Sequence, residues 1–297
     1  MYDIRAPLVS GVDTKMPYDE AKKKLVEGLA PLGDTYLADL KMGIESGWID
    51  VYENEGKKSG AYSWGTFGCH PYVLLNYENT LDSLFTFAHE MGHAMHSFYT
   101  WNTQPNVYSE YTMFSAEVAS TVNETLLIEH MLKTTRDQKT RAYLLSIYLE
   151  QFHGTLLRQT LLAEFELTIH NMARDGEPLT VESLSKVYRD LNLIYYGPDM
   201  EIDKQIDIGW ARIPHFFRTF YVYQYATGYS AAIALTKRLQ TGGTDALEDY
   251  LGFLKAGSSD STINLLRNAG VDMSTPMPVR DALCVFDGLV SELDMLI

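Results

Sequence analysis

The sequence predicts a mainly α-helical fold in one domain over residues 1–297, with a small β element before one long helix. Apolar residues recur at helical spacing through most of the chain. Only the stretch 48–77 combines aromatic and β-branched residues in the way that strands do. No repeat, low-complexity segment or linker divides the sequence, and 297 residues are enough for a substantial core.

Capping residues mark where several helices begin. Pro17 is followed by two acids, and Asp34, Thr80 and Thr180 each precede an apolar stripe. The expected helices run over about 17–31, 34–47, 80–100, 114–133, 137–173, 180–196, 215–229, 230–240, 244–255, 260–268 and 276–297. Gly154 marks either a bend or the meeting of two helices in the long pattern at 137–173, and the spacing leaves both open.

Two short strands and several loops connect these helices. The strands are expected at 48–52 and 71–77, with a turn at 53–60 between them. Polar stretches or Gly and Pro predict loops at 101–106, 174–178 and 197–213. Residues 1–16 carry Pro7 and Gly11 and predict an irregular lead-in.

The composition excludes some classes of function. A net charge of −15 disfavours nucleic-acid binding, which needs a basic surface. No apolar run is long enough to span a bilayer, and the first residues lack the features of a secretion signal. Cys69 and Cys284 do not make a disulfide framework. We therefore expect a soluble, cytoplasmic protein without nucleic-acid or membrane partners.

One motif indicates a metal site. His89 and His93 are four residues apart, so on a helix their imidazoles lie on one face and can bind one ion. Glu90 beside them could take a proton from water that the ion activates. A core helix with two chance histidines is the alternative. Leu81, Leu84, Phe85 and Ala88 supply an apolar helical stripe, which favours the metal site.

The third ligand cannot be chosen from spacing alone. His96 lies one turn too far along the same helix to reach the same ion, so we expect it to pack or to support a ligand. Glu117 follows on the next helix among small residues that would permit close helix packing. The other candidates on or near that helix are Glu110, Glu124 and Glu129.

Several motifs together resemble the oligoendopeptidase F branch of the thimet oligopeptidase superfamily. They are His-Glu-Met-Gly-His-Ala-Met-His at 89–96, Phe-Ser-Ala-Glu-Val-Ala-Ser at 114–120, and the runs 59–66, 70–77, 213–216 and 220–228. The resemblance implies a zincin-like helical fold and a single Zn²⁺ per chain held by His89, His93 and Glu117. It also implies a metalloendopeptidase (an oligopeptidase) that cleaves short, unstructured peptides, with Glu90 as the general base.

The resemblance further implies hydrogen-bond donors to the oxyanion. The histidine corresponds to His215, and among the tyrosines we favour Tyr223, with Tyr221 and Tyr225 as alternatives. Glu124, seven residues after Glu117, either orients a metal-binding histidine or is an ordinary surface acid.

The strand at 71–77 has two possible roles. Its residues Tyr72, Val73 and Leu74 are expected to pair with the backbone of an extended substrate, unless the strand is part of a purely structural hairpin.

The sequence resembles only the C-terminal half of the family's enzymes. If the N-terminal half of those enzymes is missing, cleft walls are lost, and exposed apolar surface would favour self-association. The alternative function is therefore a fragment that binds zinc or peptide but does not turn over without the missing half.

Overall fold

The computed structural model describes residues 8, 9, 12 and 15–297, so most of the predicted lead-in at 1–16 lies outside the described residues. The described chain is mainly helical, as predicted. The helices are α1 (Tyr18–Gly28), α2 (Gly33–Glu45), α3 (Leu81–Thr103), α4 (Met113–Thr134), α5 (Gln138–Gln151), α6 (Arg158–Arg174), α7 (Val181–Tyr196), α8 (Tyr223–Thr241), α9 (Gly243–Lys255), α10 (Thr262–Asn268) and α11 (Met277–Asp294).

Side-chain caps begin the two helices that matter most for the site. The Thr80 hydroxyl accepts a hydrogen bond from the Ser83 backbone N–H at 3.1 Å at the start of α3. Thr112 does the same for the Ser115 N–H at 3.3 Å at the start of α4. Each cap satisfies a backbone donor that the first helical turn leaves unpaired.

The small sheet has the order β1–β3–β2, with β1 at Ile49–Asp50, β2 at Tyr62–Trp64 and β3 at Tyr72–Leu74. Strand β3 runs parallel to β1 and antiparallel to β2, and its Val73 is paired with Ile49 on one side and with Ser63 on the other. Because β3 is paired on both sides, its backbone is not free to bind a peptide, and the predicted pairing of Tyr72, Val73 and Leu74 with substrate is wrong. The edge strands of this sheet are β1 and β2.

The long pattern at 137–173 forms one helical run with a π-helical segment, Phe152–Leu157, between α5 and α6. Gly154 lies within this segment. Other element boundaries differ modestly from the prediction. Helix α3 extends to Thr103, into the loop predicted at 101–106, and a 3-10 helix, Lys204–Arg212, lies inside the loop predicted at 197–213.

The helix predicted to start at His215 is wrong in its first part. Residues Pro214–Phe217 form a 3-10 turn, and Phe220 has a φ of +53°, a left-handed conformation that cannot continue a right-handed helix. Helix α8 begins only at Tyr223, and it then continues through Thr241, joining the segments predicted as 215–229 and 230–240.

Two hydrophobic clusters organise the described residues. The larger one is built by α1–α5 and α8–α11 around the α3–α4 pair. The smaller one contains Leu161, Phe165, Tyr188 and Val222, and it supports the segment around residues 213–221. None of the helices in the described part of the chain has the length and apolarity that a bilayer crossing requires.

Candidate metal centre

The site is built where α3 and α4 pack almost in contact. A Cβ atom on Gly92 of α3 would lie 2.5 Å from Ser120 Cα and 2.8 Å from the Ala119 carbonyl oxygen of α4. Buried Asn123 also joins the helices, because its side chain donates to the Ala88 carbonyl at 3.2 Å. The glycine therefore permits the close approach that brings Glu117 to the two histidines.

His89, His93 and Glu117 form the described cluster able to hold a metal ion. The two histidine Nε2 atoms are 3.1 Å apart, and Glu117 Oε2 lies 3.6 Å from His89 Nε2 and 4.0 Å from His93 Nε2. Ligands about 2.0–2.1 Å from one tetrahedral zinc ion are about 3.3 Å apart. Two imidazoles and a carboxylate in this arrangement thus fit zinc, in the three-ligand pattern that leaves a position open.

Glu124 contacts the side of the His89 ring that points away from the cluster. Its carboxylate Oε2 lies 3.3 Å from His89 Nδ1, the ring nitrogen that faces away from the cluster. The geometry agrees with the orienting role and not with an ordinary surface acid. Hydrogen bonding at Nδ1 fixes the tautomer in which Nε2 carries the lone pair that a metal needs.

Replacing Glu124 with alanine is expected to weaken zinc affinity by about 10–100-fold, because His89 loses its orienting partner. Competition with a fluorescent chelator measures this. Glu129→Ala on the same helix, which removes an acid that pairs with Lys133 instead, is the control and should leave the affinity within about threefold. Equal losses in both variants would contradict the orienting role.

The centre concentrates buried negative charge. Burial lowers the pKa of His89, but the charges of Glu124, Glu117 and Glu90 outweigh it and raise that pKa to about 9. Burial, reinforced by Glu117 and Glu124 and opposed by His89, raises the pKa of Glu90 to about 7. Burial also raises the pKa of Glu117, and together with the charge of His89 it lowers that of His93 well below its usual range. A cation at this position would relieve the repulsion among the carboxylates.

Metal binding near pH 7 is expected to release about one proton, because His89 is protonated below a pKa of about 9 and must lose its proton to bind. The apparent affinity should therefore fall as the pH drops below about 9. Calorimetric titration in two buffers of different ionisation enthalpy measures the proton count. Binding without proton release at pH 7 would contradict a protonated His89.

An aromatic cluster formed by His215, Tyr221 and Tyr225 lies next to this centre. The ring centroids of His215 and Tyr221 are 5.6 Å apart, and the Tyr225 and Tyr221 hydroxyls are 3.3 Å apart. Gly228, one turn after Tyr225, lies against Glu117: a Cβ on it would be 3.6 Å from the Glu117 Cβ. Tyr225 thus lies on the part of α8 that packs near Glu117, and the charge of Glu117 acts on its hydroxyl.

Tyr223 is the predicted donor that the structure does not bring to the cluster. Its side chain is 45% exposed, and in the described part of the chain the cluster's ring contacts involve Tyr221 and Tyr225 instead. His96 is buried and stacks on Tyr111 with centroids 3.8 Å apart, so it packs as expected and does not join the ligands.

The outer edge of β2, to which no strand of the described sheet is paired, faces the same centre. A hydrogen bond from the Ser63 backbone to the Glu90 carboxylate opposes the rise of the Glu90 pKa. A cavity of about 340 Å³ opens between β2 and helices α3 and α4. It is lined by Ser63, Trp64, Gly65, His93, Ser97, Trp101, Ser109, Glu110, Tyr111, Met113, Ala116 and Glu117.

Comparison with known proteins agrees with this geometry. The model of peptidase family M3 matches residues 15–284. The chain belongs to peptidase family M3. This M3 chain is 50% identical to oligopeptidase PepF of Bacillus subtilis over its whole length, which covers 44% of that protein. It is 45% identical to the group B oligopeptidase PepB of Streptococcus agalactiae, again over its whole length and 49% of that protein.

Solved structures share the fold of this M3 chain. A crystal structure from Chlamydophila abortus superposes with a TM-score of 0.92 at 43% identity and covers all of this chain and 50% of that one. Oligoendopeptidase-F from Enterococcus faecium gives 0.73 at 38% identity, covering 96% of this chain and 47% of that one. The M3 chain thus spans about half the length of the relatives it matches.

Three features of this M3 site were missed by sequence reasoning. They are the close-contact glycine Gly92, the position of Gly228 beside Glu117, and Ser63 on edge strand β2. A glycine inside a helical pattern was the available indication for Gly92, since helical glycine is unfavourable without a packing reason. The role of Ser63 depends on strand order, which has no local pattern.

Proposed function

We propose that this chain is a zinc-dependent metalloendopeptidase that hydrolyses internal bonds of short oligopeptides. The observation that carries the proposal is the convergence of His89, His93 and Glu117, with the ring nitrogens and carboxylate oxygen all within 4.8 Å of one another. Zinc held by these residues would supply Lewis acidity, polarising a peptide carbonyl and making a water molecule easier to deprotonate.

Glu90 is the general base in this proposal. Its side chain is 7% exposed and follows His89 directly, so it lies beside the reacting centre without competing as a ligand. A pKa raised to about 7 by burial matches a group that accepts a proton and returns it near neutral pH. Glu90 takes the proton of the attacking water and passes it to the leaving amine.

Tyr225 and His215 are the proposed donors to the oxyanion, with Tyr221 supporting them. Burial, the Tyr221 hydroxyl and the charge of Glu117 raise the pKa of Tyr225, so that its phenol stays protonated and can donate. The position of Tyr225 one turn before Gly228, which lies beside Glu117, and the charge of Glu117 acting on the Tyr225 hydroxyl support it over Tyr223.

Tyr225→Phe is expected to lower kcat by about 100-fold, because one preorganised donor to the developing negative charge is lost. Tyr223→Phe removes the same atom from an exposed ring and should stay within about threefold. Steady-state kinetics on one peptide compares the two. The reverse ranking would restore Tyr223 as the donor.

Strand β2, whose outer edge is paired with no strand of the described sheet, is the proposed binding strand for substrate. An extended peptide can pair with its backbone, and such pairing is indifferent to side chains, which suits varied short peptides. Folded proteins offer few unpaired backbone segments of this kind. Cys69 and Cys284, both free and exposed, support a reducing, cytoplasmic location.

Cleavage of an internally quenched short peptide tests the function. We expect hydrolysis by the zinc-loaded chain, loss on treatment with a chelator, and recovery when zinc is returned. Mass spectrometry of the products should find cuts inside the peptide and not at its ends. No cleavage by the folded, zinc-loaded chain would refute the enzyme and leave a zinc- or peptide-binding chain.

A further inference from the structure

A residue in a strained conformation connects the parts of the aromatic cluster. Phe220 has a φ of +53°, which residues other than glycine rarely adopt, and bulky residues least of all. It lies between the 3-10 turn that carries His215 and the helix that carries Tyr225, and it directly precedes Tyr221. Any relaxation of its backbone would therefore move His215 relative to both tyrosines.

Two side chains of α6 hold this residue. The Phe220 backbone N–H donates to Glu166 Oε1 at 2.8 Å, and the Phe220 ring lies 4.8 Å from the His170 ring. Glu166 and His170 are four residues apart and so lie on one face of α6. Glu166 is only 2% exposed, and a carboxylate so far withdrawn from water needs hydrogen-bond donors of this kind.

The surrounding cluster keeps α6 fixed relative to the strained segment. Phe165, next to Glu166, packs 5.4 Å from the Phe216 ring, and Val222 is 1% exposed in the same hydrophobic cluster. Glu166 and the segment around Phe220 thus belong to one packed unit, while the proposed metal ligands belong to the larger α3–α4 core. Backbone strain persists only where neighbouring groups impose it, and it gathers at functional sites.

We propose that Glu166 is a positioning residue for catalysis. By accepting the Phe220 N–H, it maintains the left-handed turn that presents His215, Tyr221 and Tyr225 to the metal centre. The inference rests on the proposed function for what the aromatic cluster does, but the anchoring itself concerns only contacts within this chain.

The test combines kinetics with a rescue. Glu166→Ala should lower kcat by about 10–100-fold with KM changed less than about threefold, because small displacements of oriented groups are costly. Glu166→Gln keeps an acceptor oxygen and should lose less than about fivefold. Adding Phe220→Gly to Glu166→Ala should recover much of the loss, since glycine adopts positive φ without strain.

Glu164→Ala is the matched control on the same helix. Glu164 accepts from the Tyr195 hydroxyl at 2.9 Å on the exposed side, so this variant should keep wild-type kcat. Hydrogen exchange at the Phe220 amide is the second readout, and it should rise at least about tenfold in Glu166→Ala. If Glu166→Ala does not fold, the weaker acceptor in Glu166→Gln must still raise that exchange measurably.

Failure of the inference differs from failure of the function. Unchanged exchange at Phe220, or a loss of kcat that Phe220→Gly does not relieve, overturns the positioning role while wild-type cleavage stands. A wild-type chain that cleaves no peptide overturns the proposed function and with it the catalytic role of Glu166.

Discussion

Replacing Glu90 with glutamine is expected to lower kcat/KM by about 10²–10⁴-fold while zinc still binds stoichiometrically. The amide has nearly the shape of the carboxylate but cannot accept the proton of the attacking water. Glu90 is not one of the clustered ligands His89, His93 and Glu117, so the metal centre should survive. Steady-state kinetics on the quenched peptide and elemental analysis of the same preparation measure both quantities.

The comparison variant for Glu90→Gln is Glu110→Gln. Glu110 lines the same cavity as His93 and Glu117 but has no assigned chemical role, so kcat should stay within about fivefold. If Glu90→Gln cleaved at the wild-type rate with full zinc content, the base would have to be another group.

Replacing Gly92 with alanine is expected to destabilise the protein by about 3 kcal/mol or more, although alanine is the better helix former. The new Cβ would lie 2.5 Å from Ser120 Cα and 2.9 Å from the Ser120 nitrogen, and both are backbone atoms that cannot rotate away. Helices α3 and α4 must separate, which moves Glu117 from the histidines. Zinc affinity should therefore fall together with the free energy of unfolding.

Gly252→Ala in α9 is the control for this steric argument. No atom lies within 4 Å of where its Cβ would be, so the helix preference for alanine should stabilise the protein by about 0.5–1 kcal/mol. Denaturant titrations of both variants give the two free energies. A Gly92→Ala protein as stable as wild type would contradict the close packing of the helices.

The local part of the site could be predicted from sequence, because its geometry follows from helix periodicity. His89 and His93 are one turn apart on any helix, and Thr80 caps that helix as expected. The third ligand depends on how two helices pack, which spacing did not decide among the glutamates. The family resemblance indicated Glu117, and the Gly92 contact explains how it reaches the histidines.

The choice of tyrosine and the choice of substrate-binding strand could not be made from sequence, because both depend on non-local geometry. Which tyrosine lies nearest the cluster of His89, His93 and Glu117 depends on where α8 begins, and the left-handed Phe220 places that start after the predicted His215. Similarly, β3 has the composition of a binding strand, but the order β1–β3–β2 makes it central. Neither feature has a periodic pattern along the chain.

The most direct test of the metal centre is an anomalous-diffraction map of zinc-loaded crystals collected at the zinc absorption edge. We expect one strong peak per chain, about 2.0–2.2 Å from a nitrogen of His89, a nitrogen of His93 and an oxygen of Glu117. A peak bound by other residues, or none at this position in zinc-saturated protein, would contradict the metal centre and the function built on it.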